Sequence, residues 1–343
     1  MTVDELGRVL EAIPAHAVAS ASDGVDAAAV DAAAVEGSAG YLASDAALDS
    51  IEADPYWPKW DSPWWHMVLL FELGEARRIP SAIVDAMVRR LDAMPLHSFP
   101  IRPEDSPPGI DPDRDSSCHC ALGCMHQVLT ACGVDVAAAL PWVEPWFARY
   151  QMADGGLNCD ASAYLVEDEC ASSMVGTIAA FEAMSARGAT PFVDRAAQFL
   201  IERELMRGSS SRHNAEERAA APAWLEPCFP RFYFYDVLRG LHALVQWAVR
   251  FERVLPVDAV AGVVAHLARR YPDGVVRIRR RAFANKRTLA RVDGAWVRQP
   301  ATIGPGLEAV SEPGRVSPIL TTQWAAARRG LRELIDAGRL RPA

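Results

Sequence analysis

The sequence predicts an all-α domain built from repeated helices, and three observations lead there. Apolar residues recur at i, i+3 and i+4 in seven stretches: 64–73, 121–132, 174–184, 193–205, 237–249, 257–267 and 325–335. The intervening segments, 95–113, 154–158, 208–230, 272–274 and 299–317, are rich in Pro, Gly and Asp and read as turns and loops. Finally, the helices resemble one another. Placing Gly74, Gly133 and Ser185 in register aligns 60–74, 120–133 and 170–185, and 232–248 and 319–334 follow the same scheme. Each has small or aromatic residues in its first turns, an apolar body, and a Gly, Ser or charged exit. Successive copies of the first four lie about fifty to sixty residues apart, room for a helical hairpin and a loop. Such repeats stack into open solenoids or close into rings. Neither end carries a polar capping repeat, which favours closure.

The remaining elements follow in order. The first fifteen residues and the Ala-rich stretch 25–36 read as helices, so residues 1–50 form an N-terminal helical extension to a main domain of 51–340. Three turns share an Asp-Gly core: Asp154-Gly155-Gly156, Asp273-Gly274 and Asp293-Gly294. In such turns the Asp accepts from the backbone two residues on, and Gly supplies φ > 0. The only strand signal is weak, a short hairpin between 275–278 and 295–297. The basic run 279–281 reads as a solvated face.

Composition narrows the function. Half of the 343 residues are hydrophobic and 23% are charged, ample for a buried core. The formal charge, 35 − 44 = −9, argues against a nucleic-acid or anionic-membrane partner. No apolar run of about 18 residues predicts a transmembrane helix. The first thirty residues carry Asp4 and Glu5 and lack the pattern of a signal peptide. Seven cysteines, an odd number crowded into one part of the chain, do not make a secreted disulfide framework. A cytoplasmic protein is expected. Gly-rich phosphate loops, a dinucleotide fingerprint and His-Glu-x-x-His are all missing, so no nucleotide cofactor is expected.

Several motifs in order carry a resemblance across 54–335. They are Trp64-Trp65, Cys120-Ala121-Leu122-Gly123, the Gln151-to-Cys159 segment with its Asp154-Gly155-Gly156 turn, and Tyr233 to Arg239. Together they resemble the repeat shared by squalene and oxidosqualene cyclases and the β-subunits of protein prenyltransferases. They are also similar to small bacterial squalene-cyclase-like proteins. The resemblance implies an α/α toroid, an inner ring of parallel helices inside an outer ring, with a central cavity lined by the inner helices' first turns. It implies an enzyme acting on a small or lipid-like molecule there, by lyase, cyclase or transferase chemistry.

Prenyltransferase β-subunits place an Asp-x-Cys zinc pair after the Gly-Gly turn, and here Asp168-Glu169-Cys170 stands in a similar position. A carboxylate and a thiolate at that spacing both suit Zn²⁺. The family's third ligand, a His, is missing from the Phe232–Asp236 segment of this chain, so Cys118, His119 or Cys120 would complete the site. Asp168, Tyr233, Tyr235 and Asp236 are then the candidate catalytic groups, and Trp64, Trp65, His66, Phe232, Arg239 and Trp324 the candidate substrate contacts. Two other activities are implied by the same resemblance. In a metal-free cyclase, Asp168 between Glu167 and Glu169 would protonate the substrate and the aromatic wall would stabilise a carbocation. Prenyl transfer would need a cationic diphosphate site, for which Arg239, Lys286, Arg287 and Arg291 are the available cations. A non-catalytic module that binds a ligand or a partner is the competing class.

Overall fold

Residues 1–14, 21–97, 99–100, 102–111, 114–283 and 287–342 are described by a computed structural model. Lys286 lies outside them. Fifteen α-helices carry these residues: α1 (Val3–Glu11), α2 (Ala21–Leu42), α3 (Asp45–Ala53), α4 (Pro63–Glu72), α5 (Ser81–Asp92), α6 (His119–Ala131), α7 (Val136–Ala139) and α8 (Val143–Arg149), followed by α9 (Met174–Arg187), α10 (Pro191–Glu202), α11 (Ala215–Ala220), α12 (Val237–Arg250), α13 (Val257–Arg270), α14 (Pro305–Val310) and α15 (Pro318–Asp336). The described strands are two pairs: β1 (Leu255–Pro256) with β4 (Leu340–Arg341), and β2 (Arg287–Val292) with β3 (Ala295–Pro300). The domain is all-α, and none of its described helices is long and apolar enough to cross a membrane.

Each apolar stretch read from the sequence falls within or across one helix, and the boundaries have local causes. Ser173, Asp236 and Ser317 are N-caps whose side chains accept from the third residue on, Gly176, Arg239 and Leu320. Pro63, Pro191 and Pro318 open their helices, where a missing N–H costs nothing. The Asp-Gly turns also take the expected form. Asp154 accepts from Gly156 N–H at 3.1 Å and Asp273 from Val275 N–H at 3.0 Å, with φ of +92° at Gly155 and +76° at Gly274.

The hairpin differs from its expectation. Its first strand is β2, whereas 275–278 runs beside 315–317 through Ile278 N–H to Arg315 O and Ser317 N–H to Val276 O. The third Asp-Gly turn decides this. Asp293 and Gly294 both have positive φ (+50° and +84°), the geometry of a two-residue hairpin loop, so the residues flanking the turn pair with each other.

Helix packing follows a closed sequence of neighbours: α2 on α4, α4 on α6, α6 on α9, α9 on α12, α12 on α15, and α15 back on α2. The described residues of the N-terminal extension pack against this assembly. α1 packs on α13 and α15, and Leu6, Leu10 and Leu42 belong to the same core as the later helices. α6 and α9 run in the same direction, because Gly123 lies against Ala179 while Gln127, one turn on, reaches Glu182. A Cβ at Gly123 would come 2.5 Å from the Ala179 backbone, so the close approach of this pair requires glycine. α12 and α15 are parallel as well: Gln323 meets Arg231 just before α12, and Gly330 lies against Val245 and Val249 further along it.

Two chambers lie at opposite ends of these helices. One, of about 350 Å³, is lined by the starts of α4, α6 and α9 through Trp64, Cys120 and Val175. The other, of about 400 Å³, is lined further along the same helices by Glu72, Gln127 and Glu182 and by α12 and α15. Aromatic packing sits between them: Trp64 on Trp65 (ring centroids 4.6 Å) and Trp65 on Phe232 (5.0 Å).

Candidate metal centre and its chamber

The 350 Å³ chamber holds three thiols. Cys118 is the N-cap residue of α6 and Cys120 lies in its first turn, and their sulfurs are 3.0 Å apart. The third is Cys159, whose sulfur accepts the Cys120 N–H at 3.4 Å. All three sulfurs lie within 4.8 Å of one another. Cys159 is placed by the segment just before it. A Cβ at Gly155 would run into the carbonyl of Arg195, so this turn is tight against α10. Leu157 then pairs with Ser173 across the chain, accepting its N–H at 2.8 Å. Asn158 is fixed by its amide, which donates to Ala171 O at 2.5 Å, and by its N–H to Tyr164 Oη at 3.1 Å. Cys159 comes next, directed at the start of α6.

Three thiols this close can hold a metal ion. With Zn–S bonds of about 2.3 Å at tetrahedral angles, thiolate sulfurs sit about 3.8 Å apart, so Cys118 and Cys120 would open from 3.0 Å to share an ion. The thiols are not equivalent. S–H hydrogen bonds from Cys120 and Cys159 hold the Cys118 thiol well below the usual range, and Cys120's own bonds with Cys118 and Cys159 raise the Cys120 thiol. Helix starts also favour anions.

Around the sulfurs stand groups able to hold a substrate. Tyr56 and Tyr233 join hydroxyls at 3.1 Å, and burial keeps both phenols well above their usual range, so they remain neutral donors. Lys59 has no carboxylate partner among the described residues. Its ammonium lies 5.2 Å from the Trp57 ring centroid, and burial lowers its pKa while the Cys118 and Cys120 thiols oppose that shift. Arg114 is held by Asp115 at 2.6 Å. Thr288 of β2 accepts the Lys59 N–H at 2.7 Å and ties the hairpin to this wall.

The other residues singled out in the sequence are placed elsewhere. His119, between Cys118 and Cys120, is fully buried and points away from the thiols. Its Nδ1 accepts from Trp146 Nε1–H at 2.7 Å, which leaves the proton on Nε2 to donate to Tyr164 Oη at 3.0 Å. Burial lowers its pKa to about 4, so it is a neutral structural histidine with both nitrogens occupied. Asp168 is exposed and bonded to Arg212 at 2.6 Å, and Cys170 lies beside Asp154. Neither joins the three-sulfur group, because the Asp-x-Cys segment lies in the loop before α9, away from the start of α6.

Of the candidate catalytic residues, Tyr233 lines the thiol chamber. Tyr235 is fully buried, donating to Leu205 O at 2.7 Å. Asp236 caps α12 and pairs with Arg231 at 2.7 Å, which explains its burial and leaves it no access to either chamber. Of the substrate contacts, Trp64 faces the thiol chamber and Arg239 the other one. Phe232 lines the larger chamber and, with Trp65 and His66, a smaller third cavity of about 180 Å³. Trp324 is fully enclosed, with the Arg328 guanidinium over its ring.

Reading the sequence for local spacing missed Cys159, although it ends the Gln151-to-Cys159 segment. Its partners are 39 and more residues away in sequence, and no local pattern links them. No family model, curated protein or solved structure matches this chain.

Proposed function

We propose that the protein is an enzyme of the terpenoid-cyclase and prenyltransferase type of α/α toroid, with zinc held by Cys118, Cys120 and Cys159, acting on a small molecule in the thiol chamber. The observation that carries this reading is the convergence of three thiols at the wall of a chamber. Support for the ring comes from the closed series of helix neighbours and from two chambers lined by the same helices. At about 350 Å³ the chamber is near the lower end of ligand sites, roughly 300–1,000 Å³. A small substrate is therefore favoured over a long isoprenoid.

Bound zinc would act as a Lewis acid and hold a substrate thiolate, alkoxide or carbonyl oxygen. The chain's own residues supply the rest. The Tyr56 and Tyr233 hydroxyls bond each other, so the pair has one O–H left to donate to a substrate oxygen, and Tyr233 would be the donor. Lys59 offsets negative charge at the thiolates or on the substrate. Trp57 and Trp64 keep water from the reacting end. Acid-initiated cyclisation fits less well, because it needs a carboxyl kept neutral in a dry pocket, and Asp168 is exposed and salt-bridged.

Metal content tests the reading. Purified wild type and Cys170→Ala should each carry about one zinc per chain by mass spectrometry, and Cys159→Ser less than about a tenth. Wild type that stays empty after incubation with zinc would overturn the metal centre. A non-catalytic binding module would then be the better account.

A further inference from the structure

The 400 Å³ chamber is independent of the thiols and has a different chemistry. Two of its three arginines, Arg239 and Arg231, are paired with carboxylates, while Arg250 has no carboxylate partner among the described residues. Arg239 makes a two-pronged ion pair with Glu182 at 2.6–3.1 Å and gives its remaining Nη1 to the Phe232 and Phe234 carbonyls at 2.8 Å. Arg231 is paired with Asp236 and also bonds Gln323. Glu72 is the carboxylate of this wall that has no ion pair among the described residues. Its oxygens accept the backbone N–H groups of Arg231, at 2.7 Å, and Phe232, and among the described residues no cation lies against it. Burial raises the carboxyl to about 7 even with Arg239 and Arg231 nearby, so a cationic ligand would be what fixes it as the carboxylate.

Other features point the same way. α4 ends at Glu72, and the wall residues Ser185 and Arg250 lie in the last turns of α9 and α12, so three helix C-terminal turns converge here. Their carbonyl ends favour positive charge. His242 has no hydrogen-bond partner among the described residues, and burial lowers its pKa to about 4, leaving a neutral donor and acceptor. Gln246, one turn further along α12, is exposed at the mouth. Gln323 uses only its oxygen, so its amide N–H groups remain free. Val68, Phe71 and Phe181 supply an apolar wall beside these groups. Arg250 stands at the mouth over the Phe251 ring, 5.4 Å away, and does not contact Glu72.

We propose that this chamber is a second ligand site, for a small organic cation whose ammonium or amidinium group pairs with Glu72 and whose apolar body lies against Phe71 and Phe181. His242, Gln246 and Gln323 would bond its polar substituents.

Titration calorimetry with the full-length protein tests this, using benzamidine and butylamine as cations and benzoate and butyrate as matched anions. A cation should bind wild type with Kd below about 1 mM, and its matched anion at least about tenfold more weakly. Glu72→Gln should weaken cation binding about tenfold, and Cys159→Ser should leave it unchanged, which separates this site from the thiol centre. If Glu72→Gln does not fold, Gln246→Lys decides. Its position is exposed, and the added charge should weaken the cation about threefold or more. Anions binding as well as cations, no cation binding up to about 10 mM, or full affinity in a folded Glu72→Gln would each overturn the proposal.

Discussion

The two chambers share α4, α6 and α9 but sit at opposite ends of them, and their chemistry follows the ends. At the helix starts are three thiols, one of them stabilised as thiolate, with Lys59 opposite. At the ends of α4, α9 and α12 is Glu72, a carboxyl with no cation in ion-pair contact among the described residues although Arg231 and Arg239 lie nearby, beside neutral amides and a neutral imidazole. Helix dipoles make the first end hospitable to anions and the second to cations. Side chains then sharpen what the backbone already favours. On the two proposals above, one set of helices would provide two sites of opposite preference.

The strongest way to break this arrangement is at the segment that divides the chambers. Asp236 caps α12, accepts from Cys228 N–H at 3.3 Å and neutralises Arg231. Asp236→Asn keeps the size and the cap but leaves Arg231 buried without a countercharge. Urea unfolding should register a loss of about 3–5 kcal/mol. A loss below about 1 kcal/mol would mean that the segment is held by its aromatic packing alone.

A smaller effect comes from Glu72 and has a defined sign. Its folded pKa, about 7, lies above its unfolded value of about 4.5. For this acid the folded state binds the proton more tightly, so its contribution to stability is present below about pH 4.5 and is lost as pH rises through 7. Wild type should lose roughly 1–2 kcal/mol relative to Glu72→Gln between pH 5 and 8, less than the full shift because the carboxyl faces a solvated chamber. Parallel pH profiles for the two proteins would show that Glu72 is not the titrating group. A saturating organic cation should reduce the loss, which sharpens the contrast between the chambers.

The smallest expected effect is at the thiol end. In metal-free protein, iodoacetamide should modify Cys118 with a pH midpoint below the ordinary thiol value of about 8.5. Its folded pKa is depressed, so the thiolate adds stability above about pH 8.5, and that stability is lost as pH falls through the folded value. Lys59→Met should raise the midpoint by about half to one unit. Peptide mass spectrometry reads both, with Cys132, whose pKa is raised by burial, as the slow internal reference. Cys118 reacting no faster than Cys132 at pH 7 would remove the charge asymmetry between the chambers.

Helices were legible because each is an amphipathic run ended by a residue with a local job, such as Ser173, Asp236 or Pro318. The Asp-Gly turns were legible for the same reason, although at Asp293-Gly294 the sequence did not say which strands would flank the loop. The thiol site was half legible. Cys118 and Cys120 stand out as a local pair, while Asp168 and Cys170 look like ligands by spacing and lie apart from them. Tyr235 and Asp236 look reactive by type, but Tyr235 is spent on Leu205 and Asp236 on capping and on Arg231.

By itself, then, the sequence determined what depends on neighbours along the chain: helical periodicity, caps, turn residues and the balance of apolar and charged groups. Only the tertiary structure decided which distant groups share a space. It brings Cys159 to Cys118 and Cys120, turns His119 away between them, and gives Glu72 backbone N–H partners at the far end of α4. The physical reason is that hydrogen-bond periodicity is local, whereas a side chain's charge and solvation are fixed by whatever the packed helices place against it.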